Sequence, residues 1–170
     1  GKVIGGGYPV AAVAGTAAIM DMLAPLGAVY QAGTLSGNPV ATAAGLATLQ
    51  FCDDSLYQTL DARAQQVGQV ISEALTDAGV PFTLQTGGNL FSFFFTDSAD
   101  LPHKAVTTFA EAQTQNVKAF NAFFHAMLEG GVSLPPSAFE AWFVNGAMTD
   151  ADVDKIGSVA KVAAAAAARV

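Results

Sequence analysis

The sequence predicts a mixed α/β chain made of two parts, residues 1–52 and residues 53–170. The first part is rich in glycine and alanine, and no charged residue lies between Asp21 and Asp53. In the second part, apolar residues at helical spacing are interleaved with short runs of alternating polarity, which is the pattern of strands. Because the two parts differ in composition and pattern, we expect two differently built domains.

The first part is expected to contain mostly short elements. The pattern predicts the end of a strand at Val3 and Ile4, a glycine turn at 5–9, a short helix at 16–23 and a loop at 27–37. Asn38 is a suitable N-cap for a helix whose first residue is Pro39. This helix is apolar on most sides, which predicts that it is buried between layers.

The second part is expected to be α+β. Predicted helices run from Leu56 to a stop at Gly79, from Val106 to a stop at Gly130, and onward from a cap at Thr149. Strand formers on either side of the turn at 86–89 predict a hairpin. Alternating residues at 138–143 predict one further strand.

Composition and charge exclude several classes of protein. Seven basic against fourteen acidic residues give a net charge of −7, so a nucleic-acid-binding protein is not expected. Polar and turn residues interrupt the uncharged stretch, so we expect no membrane span, and the start is unlike a signal peptide. Cys52 is the only cysteine, which excludes an internal disulfide and permits a reducing compartment.

The low charge content also bears on how complete the chain is. Charged residues make up 12% of it, about half the usual share of about 25%. A free-standing domain needs more charge to cover its surface. We therefore expect this chain to be a piece of a larger protein, in which the uncharged first part packs against other protein.

Lys2 is the first candidate for chemistry. The next charged residue is Asp21, and three glycines follow at 5–7. Desolvation by small apolar neighbours lowers the pKa of a lysine amine, and the neutral amine is the form that attacks a carbonyl group. The glycines would let a flat cofactor or substrate approach the main chain. Composition alone leaves a solvent-facing lysine as an equally good interpretation.

The second candidate is the segment 33–39, Gly-Thr-Leu-Ser-Gly-Asn-Pro. Small hydroxyl residues and free amides in front of a helix N-terminus are typical of a phosphate site. An ordinary capped turn explains the same residues. Because no charge lies nearby, a phosphate bound here would need help from elsewhere in the protein.

Glu140 is the third candidate, because a carboxylate in an aromatic strand is paired, protonated or facing a polar cavity. A glutamate on an edge strand that faces water is the alternative. His103 and His125 have no partner at metal-ligand spacing, so both are expected to be structural and no metal is expected. The acidic residues at 150, 152 and 154 indicate a helix start, since the closing glutamate of a calcium loop is missing.

Two segments together closely resemble the glutamate-1-semialdehyde 2,1-aminomutase family, a branch of the class III aminotransferases. They are Gly-Lys-Val-Ile-Gly-Gly-Gly-Tyr-Pro at 1–9 and Val-Tyr-Gln-Ala-Gly-Thr-Leu-Ser-Gly-Asn-Pro at 29–39. Residues 91–97 and 134–141 are similar to the same family. The resemblance runs through the whole chain in order, and it matches the C-terminal portion of the family.

The resemblance implies an α/β fold of the PLP-dependent transferase fold type I. The chain would supply the end of the large, mostly parallel-sheet domain and then a small C-terminal α+β domain. Lys2 would be the Schiff-base lysine for pyridoxal 5′-phosphate and would carry the proton during the reaction. Gly33 and Thr34 would bind the cofactor phosphate in the neighbouring subunit's site of a cytoplasmic homodimer. Glu140 would lie near the substrate pocket.

The implied reaction moves an amino group within one molecule. It is an isomerisation that converts glutamate-1-semialdehyde to 5-aminolevulinate for tetrapyrrole, or porphyrin, synthesis. Family elements expected upstream of Lys2 are absent from residues 1–170, so this stretch alone is expected to be inactive and to bind the cofactor weakly. Two alternatives stay open: another class III aminotransferase with intermolecular transamination, and a non-catalytic interaction module.

Overall fold

The computed structural model describes residues 1–97 and 105–170, and for Lys2 the backbone alone. The elements, in chain order, are a 3-10 helix Lys2–Gly5, α1 Ala17–Met20, α2 Pro39–Gln50, α3 Asp54–Asp77, β1 Phe82–Gly87, β2 Leu90–Phe95, α4 Phe109–Ala112, α5 Val117–Glu129 and α6 Asp150–Ala167. None of the helices in the described ranges combines the length and the apolar character needed to cross a bilayer.

These elements divide into two compact units, Gly1–Leu56 and Tyr57–Val170, with the boundary in the first turn of α3. The first unit holds the 3-10 helix, α1 and α2, and the second holds the hairpin and the longer helices. The assignment of residues 1–52 to a large cofactor-binding domain, and of 53–170 to a small one, stays a prediction.

The start of the chain is helical, so the predicted strand end at Val3 and Ile4 is wrong. A strand needs a neighbour to which its amide and carbonyl groups can bond. In the described residues, the sheet contains only β1 and β2, which belong to the second unit. The first residues instead close a local turn, in which the amide of Gly6 donates to the carbonyl oxygen of Val3 at 3.0 Å.

The remainder of the first unit follows the prediction in part. Thr16 precedes a helix as expected, but α1 ends at Met20, because Leu23 forms a bridge with Val29 instead of continuing the helix. The predicted loop at 27–37 contains no helix or strand. Asn38 caps α2 as predicted, and its Oδ1 accepts bonds from the amides of the second and third helical residues.

The first unit alone does not bury α2, and its burial between layers of a larger protein stays a prediction. Only Ala41 and Gly45 are buried in this helix, and Leu46 is 61% exposed. The element that packs on α2 is the 3-10 helix, which is too short to cover more than one side. The uncovered sides of α2 therefore form an exposed apolar surface.

The second unit has the predicted α+β character. β1 and β2 pair antiparallel, with Phe82 opposite Phe95 and Gly87 opposite Leu90, so the hairpin prediction is confirmed. The ring of Phe95 lies 5.9 Å from that of Phe120 and 5.5 Å from that of Phe123, which ties β2 to α5. The largest fully buried side chains are Ile71, Leu75, Phe93, Phe95, Phe120, Phe123 and Met127.

Two predictions for the second unit are wrong in their bounds. The helix expected from Val106 is two helices, α4 and α5, because Thr108 and Asn116 each cap a separate start. The strand expected at 138–143 is irregular, and only Trp142 forms a bridge, with Phe91 of β2. The helices predicted to end near Gly79 and to begin after Thr149 are confirmed as α3 and α6.

Candidate functional site

Lys2 is the first residue of the 3-10 helix, and a glycine turn follows it directly. Gly6 and Gly7 have φ angles of 55° and 95°, a region that side chains other than glycine rarely adopt. A Cβ at Gly6 would lie 2.7 Å from Oγ1 of Thr48 in α2. The predicted glycine turn is therefore confirmed, and the approach of a cofactor or substrate to its main chain stays a prediction. The side chain of Lys2 lies outside the described part of the chain.

Gly45 is a residue of this site that the sequence reasoning missed. It is buried in α2, and a Cβ there would lie 3.2 Å from the carbonyl oxygen of Ile4 and 3.3 Å from Cγ1 of Val10. The 3-10 helix Lys2–Gly5 and the glycines that follow it, together called the Lys2 turn, can pack closely on α2 because position 45 carries no side chain. A glycine inside a helix costs stability relative to alanine, and that cost was the available signal.

A cavity of about 600 Å³ lies next to this turn in the first unit. Its walls come from residues 9–13 on one side and from the loop and first turn of α2 on the other, where Gln31, Gly33 and Ser36 contribute polar groups. Pro9 and Val10 also line a neighbouring recess with Val3, Gly7 and Tyr8. Pro9 and Val10 thus border both the cavity that Gly33 lines and the recess at the glycine turn after Lys2.

The loop 33–39 is a capped turn in this structure. The amide of Ser36 donates to the carbonyl oxygen of Gly33 at 2.9 Å, and the amide of Asn38 donates to that of Leu35 at 3.1 Å. The Asn38 side chain already accepts from two amides of the helix start, so those two amides are not free for a phosphate. Thr34 is exposed, and its role in phosphate binding stays a prediction.

Glu140 is described within the second unit. Its side chain is exposed, and its main chain follows a turn in which the amide of Glu140 donates to the carbonyl oxygen of Ser137 at 3.2 Å. The carbonyl oxygen of Glu140 accepts from Oγ of Ser92 in β2 at 3.3 Å. Trp142 is buried, and its amide donates to Phe91 at 2.7 Å. A fixed main chain therefore presents a carboxylate to solvent.

The other singled-out residues have structural surroundings. His125 lies against the ring of Phe124, and the thiol of Cys52 donates to the carbonyl oxygen of Thr48 at 3.5 Å. His103 lies outside the described residues. Asp152 belongs to a capping box, where bonds from the main chain and side chain of Thr149 hold its pKa below the ordinary value of 3.8. The acidic run at 150–154 is thus a helix start, as predicted.

Comparison with known proteins shows which family this chain is similar to. Residues 1–156 match the family model of the class III aminotransferases. The chain is 54% identical, over 169 residues, to a glutamate-1-semialdehyde 2,1-aminomutase of Propionibacterium freudenreichii subsp. freudenreichii. It is 51% identical, over 170 residues, to the enzyme of the same name from Cutibacterium acnes. The alignments cover 99% and 100% of this chain but only 37% and 38% of those relatives.

Solved structures agree with the family model. An omega-transaminase from Sphaerobacter thermophilus superposes with a TM-score of 0.76 at 28% identity, over 98% of this chain and 37% of its own. A transaminase with PLP bound superposes with a TM-score of 0.75 at 22% identity, over 100% of this chain and 38% of its own, which shows a common fold. The predicted fold class is therefore confirmed, and the chain belongs to the class III aminotransferase family.

Proposed function

We propose that this chain is part of a PLP-dependent isomerase that converts glutamate-1-semialdehyde to 5-aminolevulinate, a step in tetrapyrrole synthesis. The observation that carries the proposal is the identity of 51–54%, over nearly all of these residues, to two proteins named as that aminomutase. Because the chain spans less than two fifths of their length, the activity is proposed for a protein of their full size.

The described residues leave room for the proposed cofactor, pyridoxal 5′-phosphate, beside the segment that follows the Lys2 turn. The cavity there has a volume of about 600 Å³, and its lining combines small apolar residues with the polar residues Gln31, Ser36 and Asn38. A Cβ at Gly7 would meet no atom within 4 Å, so main chain borders open space there. When bound, the cofactor supplies an electron sink next to the substrate carbon.

In this proposal, Lys2 would hold the cofactor through its Nζ, and while that atom is not bonded to the cofactor it would act as the acid and base. A lysine amine among apolar neighbours loses its proton at a lower pH than in water, because desolvation disfavours the ammonium form. Its neutral Nζ can accept a proton from one carbon and return it to another. The packing of the turn on Gly45 supports a fixed starting point for this side chain.

Gly33 and Thr34 are proposed to bind the cofactor phosphate in the site of a second subunit. Their exposure supports this role, since groups that serve a neighbouring site must face outward. The first unit also exposes large apolar side chains, which the rest of a full-size chain and a second subunit together would cover: Val13, Ile19, Leu26, Tyr30, Leu46 and Phe51 are among them. We accordingly propose a homodimer. A cytoplasmic location is proposed as well, and the lone Cys52 is compatible with it.

Glu140 is proposed to border the substrate pocket and to select against a second carboxylate. A negative charge at this position repels amino-acid donors that bear an additional carboxylate. Amino groups then enter and leave the site only with the one substrate, as a net transfer within one molecule requires. The exposed carboxylate on a fixed main chain supports this role.

The test is production of 5-aminolevulinate by the full-length protein with pyridoxal 5′-phosphate and glutamate-1-semialdehyde, with no added amino donor. We expect 5-aminolevulinate to form without any added amino acid or 2-oxo acid. Activity that depends on such a donor and acceptor would favour intermolecular transamination instead. A protein that binds no cofactor, judged by its absorbance spectrum, would favour a non-catalytic interaction module.

A further inference from the structure

The segment that presents Glu140 is held by a buried side chain with an incomplete set of hydrogen bonds. Gln115 lies in the turn between α4 and α5 and is 9% exposed. Its Nε2 donates to the main-chain carbonyl oxygen of Ala138 at 3.2 Å. Its Oε1 is buried and has no hydrogen-bond partner among residues 1–97 and 105–170.

Packing alone does not account for glutamine at this position. A buried acceptor without a donor destabilises the folded state, whereas an apolar side chain of the same length would fill the space without that penalty. The amide is therefore explained by the bond that it does make. That bond is made two residues before Glu140, on the N-terminal side of the presented segment.

The main chain on the other side of Glu140 has separate attachments. Ser92 bonds to the carbonyl oxygen of Glu140, and Phe91 pairs with Trp142. On the N-terminal side of Glu140, the ring of Phe139 lies 5.8 Å from that of Phe109, but the two residues are 48% and 68% exposed. Gln115 is thus a buried polar side chain that attaches the segment on its N-terminal side.

We propose that Gln115 is a positioning residue for Glu140. Resting on the proposed function, the inference is that its bond to Ala138 fixes the direction in which the segment presents the carboxylate to substrate. Gln115 touches neither substrate nor cofactor in this account. It acts by preventing the main chain at 138–140 from turning away from β2.

Hydrogen exchange in the full-length protein tests the attachment without any assay of activity. In Q115M, which keeps the length of the side chain and removes both polar atoms, exchange of the Glu140 amide should accelerate about fivefold, as expected for one lost hydrogen bond. Exchange in the middle of α5, at Phe123, should not change. Q113M, at the exposed end of α4, is the matched control and should leave both amides as in wild type. Unchanged exchange at Glu140 in Q115M would overturn the proposal.

The half-reaction with glutamate, followed by cofactor absorbance, then tests whether the attachment serves Glu140. Q115M should make this half-reaction about fivefold faster in the wild-type background and should have no further effect in E140Q, because coupled residues are not additive. A merely structural Gln115 predicts an unchanged rate with glutamate and, with the unpaired acceptor removed, an equal or higher Tm. Independent, additive effects of Q115M and E140Q would overturn the proposal. A full-length wild type without aminomutase activity would contradict the proposed function, whereas the exchange result tests the attachment in either case.

Discussion

The carbonyl oxygen of Ile4 lies against Gly45, so closely that a Cβ at position 45 would be 3.2 Å from it. That separation is shorter than ordinary van der Waals contact. The 3-10 helix that begins with Lys2 therefore packs this closely on α2 because α2 has a glycine at this point, and a side chain there would force the helix to move. The packing on α2 thus contributes to the main-chain position of the proposed cofactor lysine.

G45V should displace the Lys2 turn from α2. Forcing a branched side chain into this contact should lower the free energy of unfolding by roughly 1–3 kcal/mol. It should also weaken cofactor binding in the full-length protein, measured by thermal unfolding and by titration of cofactor absorbance. A47V, at an exposed position of the same helix, is the control. Equal behaviour of the two variants would contradict the importance of the contact.

F95A should strongly lower the free energy of unfolding of the second unit. Phe95 is fully buried between the rings of Phe120 and Phe123, so truncation leaves a cavity between β2 and α5 and should cost about 3–5 kcal/mol. F143A removes the same side chain from a position that is 71% exposed, and it should change stability by less than about 0.5 kcal/mol. Denaturant unfolding followed by circular dichroism measures the stability of both variants. Similar losses of stability in F95A and F143A would show that Phe95 is not part of the core.

Local signals in the sequence were sufficient for several elements. The caps Asn38 and Thr149, the long periodic helix α3 and the turn of the hairpin were all predicted, because each depends on residues close together in the chain. The break between α4 and α5 was missed for the opposite reason. The apolar period from Val106 to Met127 continues across it, and only the cap at Asn116 indicates the new start.

The other features that were predicted wrongly or missed depend on contacts between residues that are far apart in the chain. Whether residues 138–143 pair as a strand depends on β2, and only one bridge forms. The roles of Gly45 and Gln115 arise from neighbours 41 and 23 positions away, Ile4 and Ala138, which no local pattern indicates. Lys2, Gly33 and Glu140 were singled out by their sequence surroundings, the resemblance supplied their roles, and those roles are still predictions.

The capping box of α6 should make stability depend on pH in the acid range. Hydrogen bonds from Thr149 hold the pKa of Asp152 below its ordinary value of 3.8, so the native state binds this proton less readily than the unfolded state. The resulting stabilisation is fully present above 3.8 and is lost as the pH falls through the lowered native pKa. The stability difference between wild type and D152N should therefore shrink on acidification.

Denaturant unfolding at a series of pH values from neutral to strongly acid measures this difference. D154N, which removes a carboxylate outside the capping box of the same helix, is the control and should not reproduce the pH dependence. A D152N difference that stays constant at every pH would contradict the role given to the capping carboxylate.

E140Q should make the proposed enzyme accept amino donors with a second carboxylate. Removal of the negative charge removes the repulsion, so the half-reaction with glutamate, followed by cofactor absorbance, should become roughly tenfold faster. E129Q neutralises an exposed carboxylate at the end of α5 and is the matched control. If both variants react with glutamate as slowly as wild type, Glu140 does not set the choice of donor.

The most direct test of the account is to find which lysine carries the cofactor. The full-length protein is incubated with pyridoxal 5′-phosphate, reduced with borohydride, digested and mapped by mass spectrometry. The account predicts that the phosphopyridoxyl group is recovered on Lys2, and that K2A abolishes the labelling. Specific labelling of a different lysine, or labelling unchanged in K2A, would contradict it.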